Sequence, residues 1–290
     1  MSRRGALLFA AMCVIWGIPY LLIRVAVREL APVTLVFART ALGAALLTPI
    51  AAWRGELRPL LRHWKPLLVY TAAEVAIPWV LLARAETRLT SSLTGLLIAA
   101  VPLVGAVIVT LTGDRERQGS RRWVGLLVGI GGVAALVGLD VGQISVVALV
   151  EVGLVAVGYA VGPIILARRL GDLPVFGVVA ASLIGSTIVY APFAAASWPR
   201  QTPSAHVLES VVGLAVVCTA LAFVVFFALI AEVGPVRATV ITYVNPAVAA
   251  ILGVVVLSEH ISAGMVVGFA LVLLGCVLAT GGEAEPVPEP

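Results

Sequence analysis

Ten apolar segments follow one another along the chain, and each is close to the length of a helix that crosses a lipid bilayer. Such a helix needs about 20 mostly apolar residues, because the hydrocarbon core contains no water to solvate polar groups. Short joints rich in proline, glycine and charged residues separate the segments. The pattern predicts an all-α membrane protein with ten transmembrane helices. The predicted spans are 5–28, 33–52, 66–85, 90–112, 122–139, 143–168, 173–197, 208–231, 236–257 and 262–281.

The composition agrees with a protein whose main solvent is lipid. Hydrophobic residues make up 61% of the chain and charged residues 12%, and the mean hydropathy is +1.11. The net charge of +4 comes from arginines in the joints, so we do not expect a nucleic-acid partner. Cys13, Cys218 and Cys276 all lie within apolar segments, which predicts packed thiols rather than a disulfide or a metal site. We expect neither a metal nor a cofactor.

Basic residues are unevenly divided between alternate joints, and this division predicts the orientation. With the amino terminus inside, thirteen basic residues fall on the cytoplasmic side and five outside, while Arg39 lies within the second span. Both termini are therefore predicted to be cytoplasmic, in the cytoplasmic membrane of a prokaryote. The first segment is longer than the core of a signal peptide, so we expect it to remain as the first helix. The acidic, proline-rich tail at 282–290 is predicted to be disordered.

The second half of the sequence repeats the positions of several residues of the first half. A shift of 142 residues aligns Pro32 with Pro174, and a shift of 144 aligns Pro102 with Pro246. The predicted halves are 5–139 and 143–281, with five helices each. Because five is odd, the second half must enter the membrane from the opposite side, as in many alternating-access transporters. Chance similarity between apolar helices is the alternative explanation.

Four short motifs carry a resemblance to a known family. They are Trp16-Gly17 followed by Pro19, the run Phe37-Ala38-Arg39, Pro246 with its first-half counterpart Pro102, and Leu257-Ser258-Glu259-His260 followed by Gly268 and Gly275. In this order the chain resembles an EamA-type permease of the drug/metabolite transporter superfamily. The resemblance implies ten helices in two inverted repeats and the export or exchange of small metabolites. The sequence departs from the family at Gly113-Asp114-Arg115-Glu116, and Ala181 stands where a second copy of Arg39 would fall.

Three charged residues lie well inside predicted spans, namely Arg39, Glu74 and Glu151. A charge at the centre of a bilayer costs at least about 2.5–3.5 kcal/mol, so such residues usually face the interior of a bundle or water. Arg39 is a candidate for substrate contact, with a structural ion pair as the alternative. Glu74 and Glu151 are candidates for proton coupling, because a carboxylate in a medium of low dielectric constant binds a proton more readily. The alternatives are pairing with Arg39 or contact with an aqueous vestibule, and both are more common roles for such a residue.

Polar and aromatic residues inside the spans complete the predicted substrate site. We expect a cavity between the halves, with packing between helices as the alternative role for its aromatic members. The predicted lining residues are Trp16, Arg39, Glu74, Trp79, Tyr159, Tyr243 and Asn245. Glycine pairs four residues apart, such as Gly125 and Gly129, allow close helix approach within one chain or across a homodimer.

The sequence predicts a transporter and gives little support to catalysis. It has no H-E-x-x-H, no G-x-S-x-G and no lysine-containing phosphate loop. We therefore predict a secondary transporter that exports small metabolites, amino acids or drugs by alternating access. Its partners would be the lipid bilayer and a small-molecule substrate. The alternatives are a passive facilitator or channel and, more weakly, an intramembrane enzyme.

Overall fold

The computed structural model describes residues 1–112, 120–138 and 145–280, and within them the protein is a bundle of apolar helices. Nine helical stretches are long and apolar enough to cross a bilayer, and a tenth apolar helix has 17 residues. In chain order they are α1 (Arg3–Ala26), α2 (Pro32–Trp53), α3 (Arg58–Ala85), α4 (Ser91–Leu111), α5 (Ser120–Gly138), α6 (Val146–Arg169), α7 (Val175–Ala196), α8 (Ala205–Val233), α9 (Ile241–Leu257) and α10 (Ala263–Thr280). The predicted all-α membrane fold is confirmed. The tail at 282–290 and the departure at 113–116 lie outside the described residues.

The largest differences from the predicted spans are at two helix starts. The helix α3 begins at Arg58 rather than at 66, because a 3₁₀ turn from Arg58 to His63 leads into it. Its Pro66 sits in the first α-helical turn, where the missing N–H has no intrahelical partner to lose. The helix α9 begins at Ile241 rather than at 236, because the short helix Pro235–Ala238 ends in a turn before it.

The outer surface of the bundle is apolar. Val255, Leu127 and Ile188 are 74%, 68% and 67% exposed, and many other large aliphatic side chains share this property. In water such a continuous apolar surface would drive association, whereas in a bilayer it is the surface that lipid tails cover. The distribution of apolar side chains therefore supports the membrane assignment independently of helix length.

Helices α5 and α10 pack almost backbone to backbone. A Cβ atom on Gly132 would lie 2.6 Å from the backbone nitrogen of Val272, and one on Gly268 would lie 2.6 Å from that of Leu136. Only glycine allows this approach, which brings the two helix backbones into van der Waals contact. Gly125 belongs to the same seam, so this glycine motif is used within the chain. A homodimer stays a prediction.

Two helices contain a wide π-helical turn, at Thr71–Ala76 in α3 and at Val216–Leu221 in α8. A π turn inserts one residue into an α-helix and often marks a functional position. In α8 the hydroxyl of Thr219 donates to the carbonyl oxygen of Leu214, 2.8 Å away, and satisfies one backbone acceptor of the widened turn. In α3 the hydroxyl of Tyr190, from α7, donates to the carbonyl of Ala76 at 2.9 Å.

Polar contacts tie the helices together at both ends of the bundle. We call the end that holds Ser2 the amino-terminal end and the other the opposite end. At the amino-terminal end the backbone N–H of Gly177 donates to Glu56 at 3.0 Å. At the opposite end the hydroxyls of Thr34 and Ser197 are 2.9 Å apart. Both contacts join α2 and α7, or the residues that follow them, so this helix pair is fixed at its two ends.

Candidate functional site

Arg39 lies at the centre of the bundle, on α2, with 7% of its surface exposed. Its Nε donates to the hydroxyl of Thr219 at 3.0 Å, and its Cζ lies 3.6 Å from the ring centroid of Trp79. A guanidinium stacked on an indole gains cation–π attraction, which strengthens where water is excluded. Among the described residues no carboxylate oxygen lies within 4.0 Å of Arg39. Its positive charge is therefore held in place without being neutralised.

Two tyrosines surround this guanidinium. Tyr159, from α6, packs into the same hydrophobic core as Trp79 and lies within electrostatic range of Arg39. Tyr20, from α1, lies within the same range and is 7% exposed. Four helices thus contribute aromatic or cationic groups to one cluster. We call Tyr20, Arg39, Trp79 and Tyr159 the central cluster.

Glu74 lies in the π turn of α3, beside the central cluster. It is an electrostatic neighbour of Tyr70 and Tyr159, and its Oε2 has no hydrogen-bond partner among the described residues. The helix α6 approaches it so closely that a Cβ on Gly162 would collide with this carboxyl group. Gly158, one turn earlier, similarly faces the backbone of Ala73. The glycine pair in α6 therefore serves to seat α3 and to confine Glu74.

The remaining predicted site residues lie elsewhere in the fold. Trp16 stacks on Phe226 of α8, with ring centroids 4.7 Å apart, and belongs to a separate packing cluster. Tyr243 packs against the group of side chains around α4 and α10. Asn245 ties α9 to α1, because its amide nitrogen can donate to the carbonyl of Cys13 at 3.2 Å. The structure thus brings together Arg39, Glu74, Trp79 and Tyr159 and leaves the other three at helix contacts.

Glu151 is buried near the opposite end, where two arginines neutralise it. It is 5% exposed, with Arg84 Nε at 2.7 Å and Arg88 Nη1 at 3.4 Å. The side chains of both arginines are about half exposed, so they reach the surface of the bundle while they pair with Glu151. This carboxylate is the second predicted coupling candidate, and its ion pairs set it apart from the unpartnered Glu74.

Two further glutamates at the opposite end have defined environments. Glu259, in the family-like motif after α9, accepts hydrogen bonds from the backbone and hydroxyl groups of Ser91 and Ser92. It therefore caps the N-terminus of α4, where the helix dipole favours an anion. Glu86 is fully buried and was not singled out by the sequence. In the sequence it stands between Arg84 and Arg88 at the end of a span, a setting typical of solvated charges.

The chemistry of the cluster suits recognition rather than bond making. It offers a fixed positive charge, an aromatic plane and phenolic hydroxyl groups, with a carboxyl group nearby. Within the described part of the chain, no set of three or more His, Cys, Asp or Glu side chains is arranged to hold a metal ion. The arrangement fits the transient binding of a small organic molecule that carries negative charge.

A bundle of membrane-spanning helices with a buried polar cluster at its centre is the architecture of a multi-pass transport protein. The chain belongs to the EamA-like transporter family, whose model matches residues 3–138 and 148–281. It is therefore a member of a transporter family and not an enzyme. The resemblance drawn from the four short motifs is confirmed by this match.

Curated relatives and a solved structure agree with the family assignment. The chain is 29% identical to the "Uncharacterized inner membrane transporter YedA" of Escherichia coli (strain K12), over 97% of this chain and 93% of that protein. It is 24% identical to the "Uncharacterized transporter YvbV" of Bacillus subtilis (strain 168), over 98% and 94%. A crystal structure that shares 21% identity superposes with a TM-score of 0.68 and covers 95% of this chain and 96% of that one. This last likeness concerns the fold alone.

Proposed function

We propose that the protein is a secondary transporter of the cytoplasmic membrane that exports small organic solutes by alternating access. The solute binds at the central cluster, with its negative group on Arg39 and its apolar part against Trp79 and Tyr159. Both chain termini lie in the cytoplasm, so the amino-terminal end of the bundle is the cytoplasmic end. Amino acids and other small carboxylates are the metabolites that this chemistry fits best.

The uncompensated charge of Arg39 is the observation that carries the proposal. A guanidinium stays charged at every physiological pH, and burying it without a counter-ion is costly. A structural arginine in such a place would be expected to have a carboxylate partner in the protein. Arg39 instead has a hydroxyl on one side and an indole face on the other. A bound carboxylate would supply the missing negative charge.

Correspondences between the two halves, 5–139 and 143–281, support alternating access. The π turns of α3 and α8 fall at equivalent places along the third helix of each half. The contact between Thr34 and Ser197 at the opposite end corresponds to the contact between Gly177 and Glu56 at the amino-terminal end. Two halves inserted in opposite senses would produce these matched contacts, and rocking one half against the other would then open each end in turn.

Coupling to protons would run through Glu74. An unpartnered carboxyl group within electrostatic range of Tyr159 can exchange a proton when water enters the site. Glu151 is the weaker candidate, because Arg84 and Arg88 already form ion pairs with it. We therefore expect Glu74→Gln to abolish the pH dependence of transport and to leave binding at Arg39 intact.

The proposal is tested by transport of radiolabelled carboxylates and their neutral amides in proteoliposomes. Arg39→Gln should lower kcat/KM for the carboxylates by about a hundredfold, since a charge-assisted contact is worth about 2–3 kcal/mol. Transport of the amides should change far less. Arg28→Gln is the matched control, because Arg28 is exposed at the end of α1. Equal losses for carboxylates and amides would refute the role of Arg39.

A passive facilitator is the second candidate function, and the same vesicles distinguish it. A coupled exporter accumulates solute against its gradient when a proton gradient is imposed. A facilitator only equilibrates the solute, and its flux does not respond to pH. If the solute only equilibrates across the vesicle membrane and its flux still requires Arg39, the proposed binding site stands and the proposed proton-coupled export is refuted.

A further inference from the structure

Glu86 is a buried carboxyl group that the proposed transport cycle does not use. It follows the last residue of α3 at the opposite end of the bundle, and its exposed fraction is 0%. Neither carboxylate oxygen has a hydrogen-bond partner among the described residues. An ionised carboxylate in such a place would be desolvated without compensation, which is strongly unfavourable.

The groups that face Glu86 come from three parts of the fold. Arg24 of α1 donates from Nη1 to the backbone carbonyl of Glu86, rather than to its carboxylate. Tyr20 lies one turn earlier on α1, within electrostatic range, and Glu259 acts on Glu86 from the segment between α9 and α10. In its own segment, Arg84 and Arg88 form ion pairs with Glu151. Burial raises the pKa of Glu86 well above its ordinary value; Arg24 opposes this rise, and Glu259 adds to it.

Two other glutamates at the same end show which partners stabilise a charged carboxylate in this fold. Glu151 has two arginines within 3.4 Å, and Glu259 accepts hydrogen bonds from two serines. The pKa of Glu259 stays below its ordinary value although burial raises it, because the hydrogen bonds from Ser92 and Ser91 outweigh burial. Glu86 has none of these partners. The three glutamates lie at the same end of the bundle, but only Glu151 and Glu259 have partners that stabilise a negative charge. The protonation state of Glu86 should therefore differ from theirs.

We propose that Glu86 is a proton-binding site at the opposite end of the bundle, separate from Glu74 and from the central cluster. Its carboxyl group carries a proton in this conformation. When the contact between Arg24 and the Glu86 carbonyl opens, water reaches the acid and takes the proton, which leaves a carboxylate beside the arginine. Tyr20 lies within electrostatic range of both Glu86 and Arg39, so this step is felt at the central cluster.

Infrared spectroscopy of the full chain in detergent tests the site without substrate or transport. A protonated carboxyl group gives a C=O stretching band that ionised carboxylates lack. In a Glu74→Gln background, the protein at neutral pH should show this band, and adding Glu86→Gln should remove it. Adding Glu209→Gln instead should leave the band unchanged, because the side chain of Glu209 is 75% exposed.

A second variant covers the case in which Glu86→Gln does not fold. Glu86→Asp keeps an acid at the site but moves it, so the band should persist at a shifted frequency. A spectrum at neutral pH that is the same with and without Glu86→Gln overturns the proposal. If Glu86→Gln does not fold, an unshifted band in Glu86→Asp overturns it. Because the measurement involves no solute, a failed transport assay with Arg39 variants would not affect its outcome.

Discussion

The seam between α5 and α10 gives a quantitative prediction for Gly132→Ala. The added Cβ would lie 2.6 Å from the backbone nitrogen of Val272 and 2.8 Å from the carbonyl oxygen of Gly268. Ordinary contact begins near 3.4 Å, so the two helices would have to separate by roughly 0.8 Å, the difference between 3.4 and 2.6 Å. A gap of that size forfeits about a quarter to a half of the attraction of each contact along the seam. We expect the free energy of unfolding to fall by about 1–3 kcal/mol.

The adjacent glycine is a matched control for this substitution. A Cβ on Gly131 would meet no atom within 4 Å, so Gly131→Ala should leave the free energy of unfolding unchanged or raise it by up to about 1 kcal/mol, the usual advantage of alanine over glycine within a helix. Both variants can be compared with the parent protein by titration with sodium dodecyl sulfate in mixed micelles, followed by tryptophan fluorescence. Equal stability of the two variants would refute the inference that packing in this seam is limited by backbone contact.

Two further predictions concern hydrogen bonds that end on buried or capping groups. Glu259→Gln removes the anionic cap of α4 and should lower the free energy of unfolding by about 1–2 kcal/mol at neutral pH. Because the pKa of Glu259 is lower in the folded protein, its carboxylate stabilises the fold above its ordinary pKa, and this stabilisation is lost as the pH falls through the pKa in the folded state. In Glu259→Gln, the unfolding midpoint should therefore fall less steeply with decreasing pH than in the parent protein. Tyr190→Phe removes the hydrogen bond to the π turn of α3 and should cost about 0.5–1.5 kcal/mol in the same unfolding titration. Tyr70→Phe is its control, because the hydroxyl of Tyr70 makes no hydrogen bond within the described part of the chain. Unchanged midpoints in Glu259→Gln or Tyr190→Phe would contradict the corresponding contact.

The fold class could be predicted from the sequence because, in a lipid bilayer, it depends mainly on the length and hydropathy of the apolar segments. A helix that spans the hydrocarbon core must be apolar over its whole length, and the joints must be polar. The ten spans followed from that rule. The largest errors lie at Arg58 and Ile241, where short helical turns adjoin the predicted starts and local hydrogen bonding decides the boundary. Hydropathy does not register such turns.

The candidate site was less accessible to sequence reasoning. Arg39 and Glu74 stood out because charge is rare in these segments, but the stacking of Arg39 on Trp79 depends on how α2 meets α3. The residues of the π turn that carries Glu74 do not differ in type from those of the α-helix around it, so the sequence did not predict this turn. Trp16 and Asn245 were expected in the cavity because they are polar or aromatic within spans, yet helix contacts also select such residues. Glu86 was missed because its burial arises from α1 and the segment after α9.

The extra residue in each π turn, in the middle of α3 and of α8, would allow side chains to change direction while the helix stays formed. Successive residues in an α-helix are about 100° apart, so moving the wide turn one position along would turn the residue that it passes by about that angle and leave the rest of the helix in register. Trp79 and Phe223 lie just past the two wide turns, so a turn that moved along the helix as far as these residues would reorient their rings. Neither helix would need to unwind, since the hydrogen-bond ladders on both sides would stay intact.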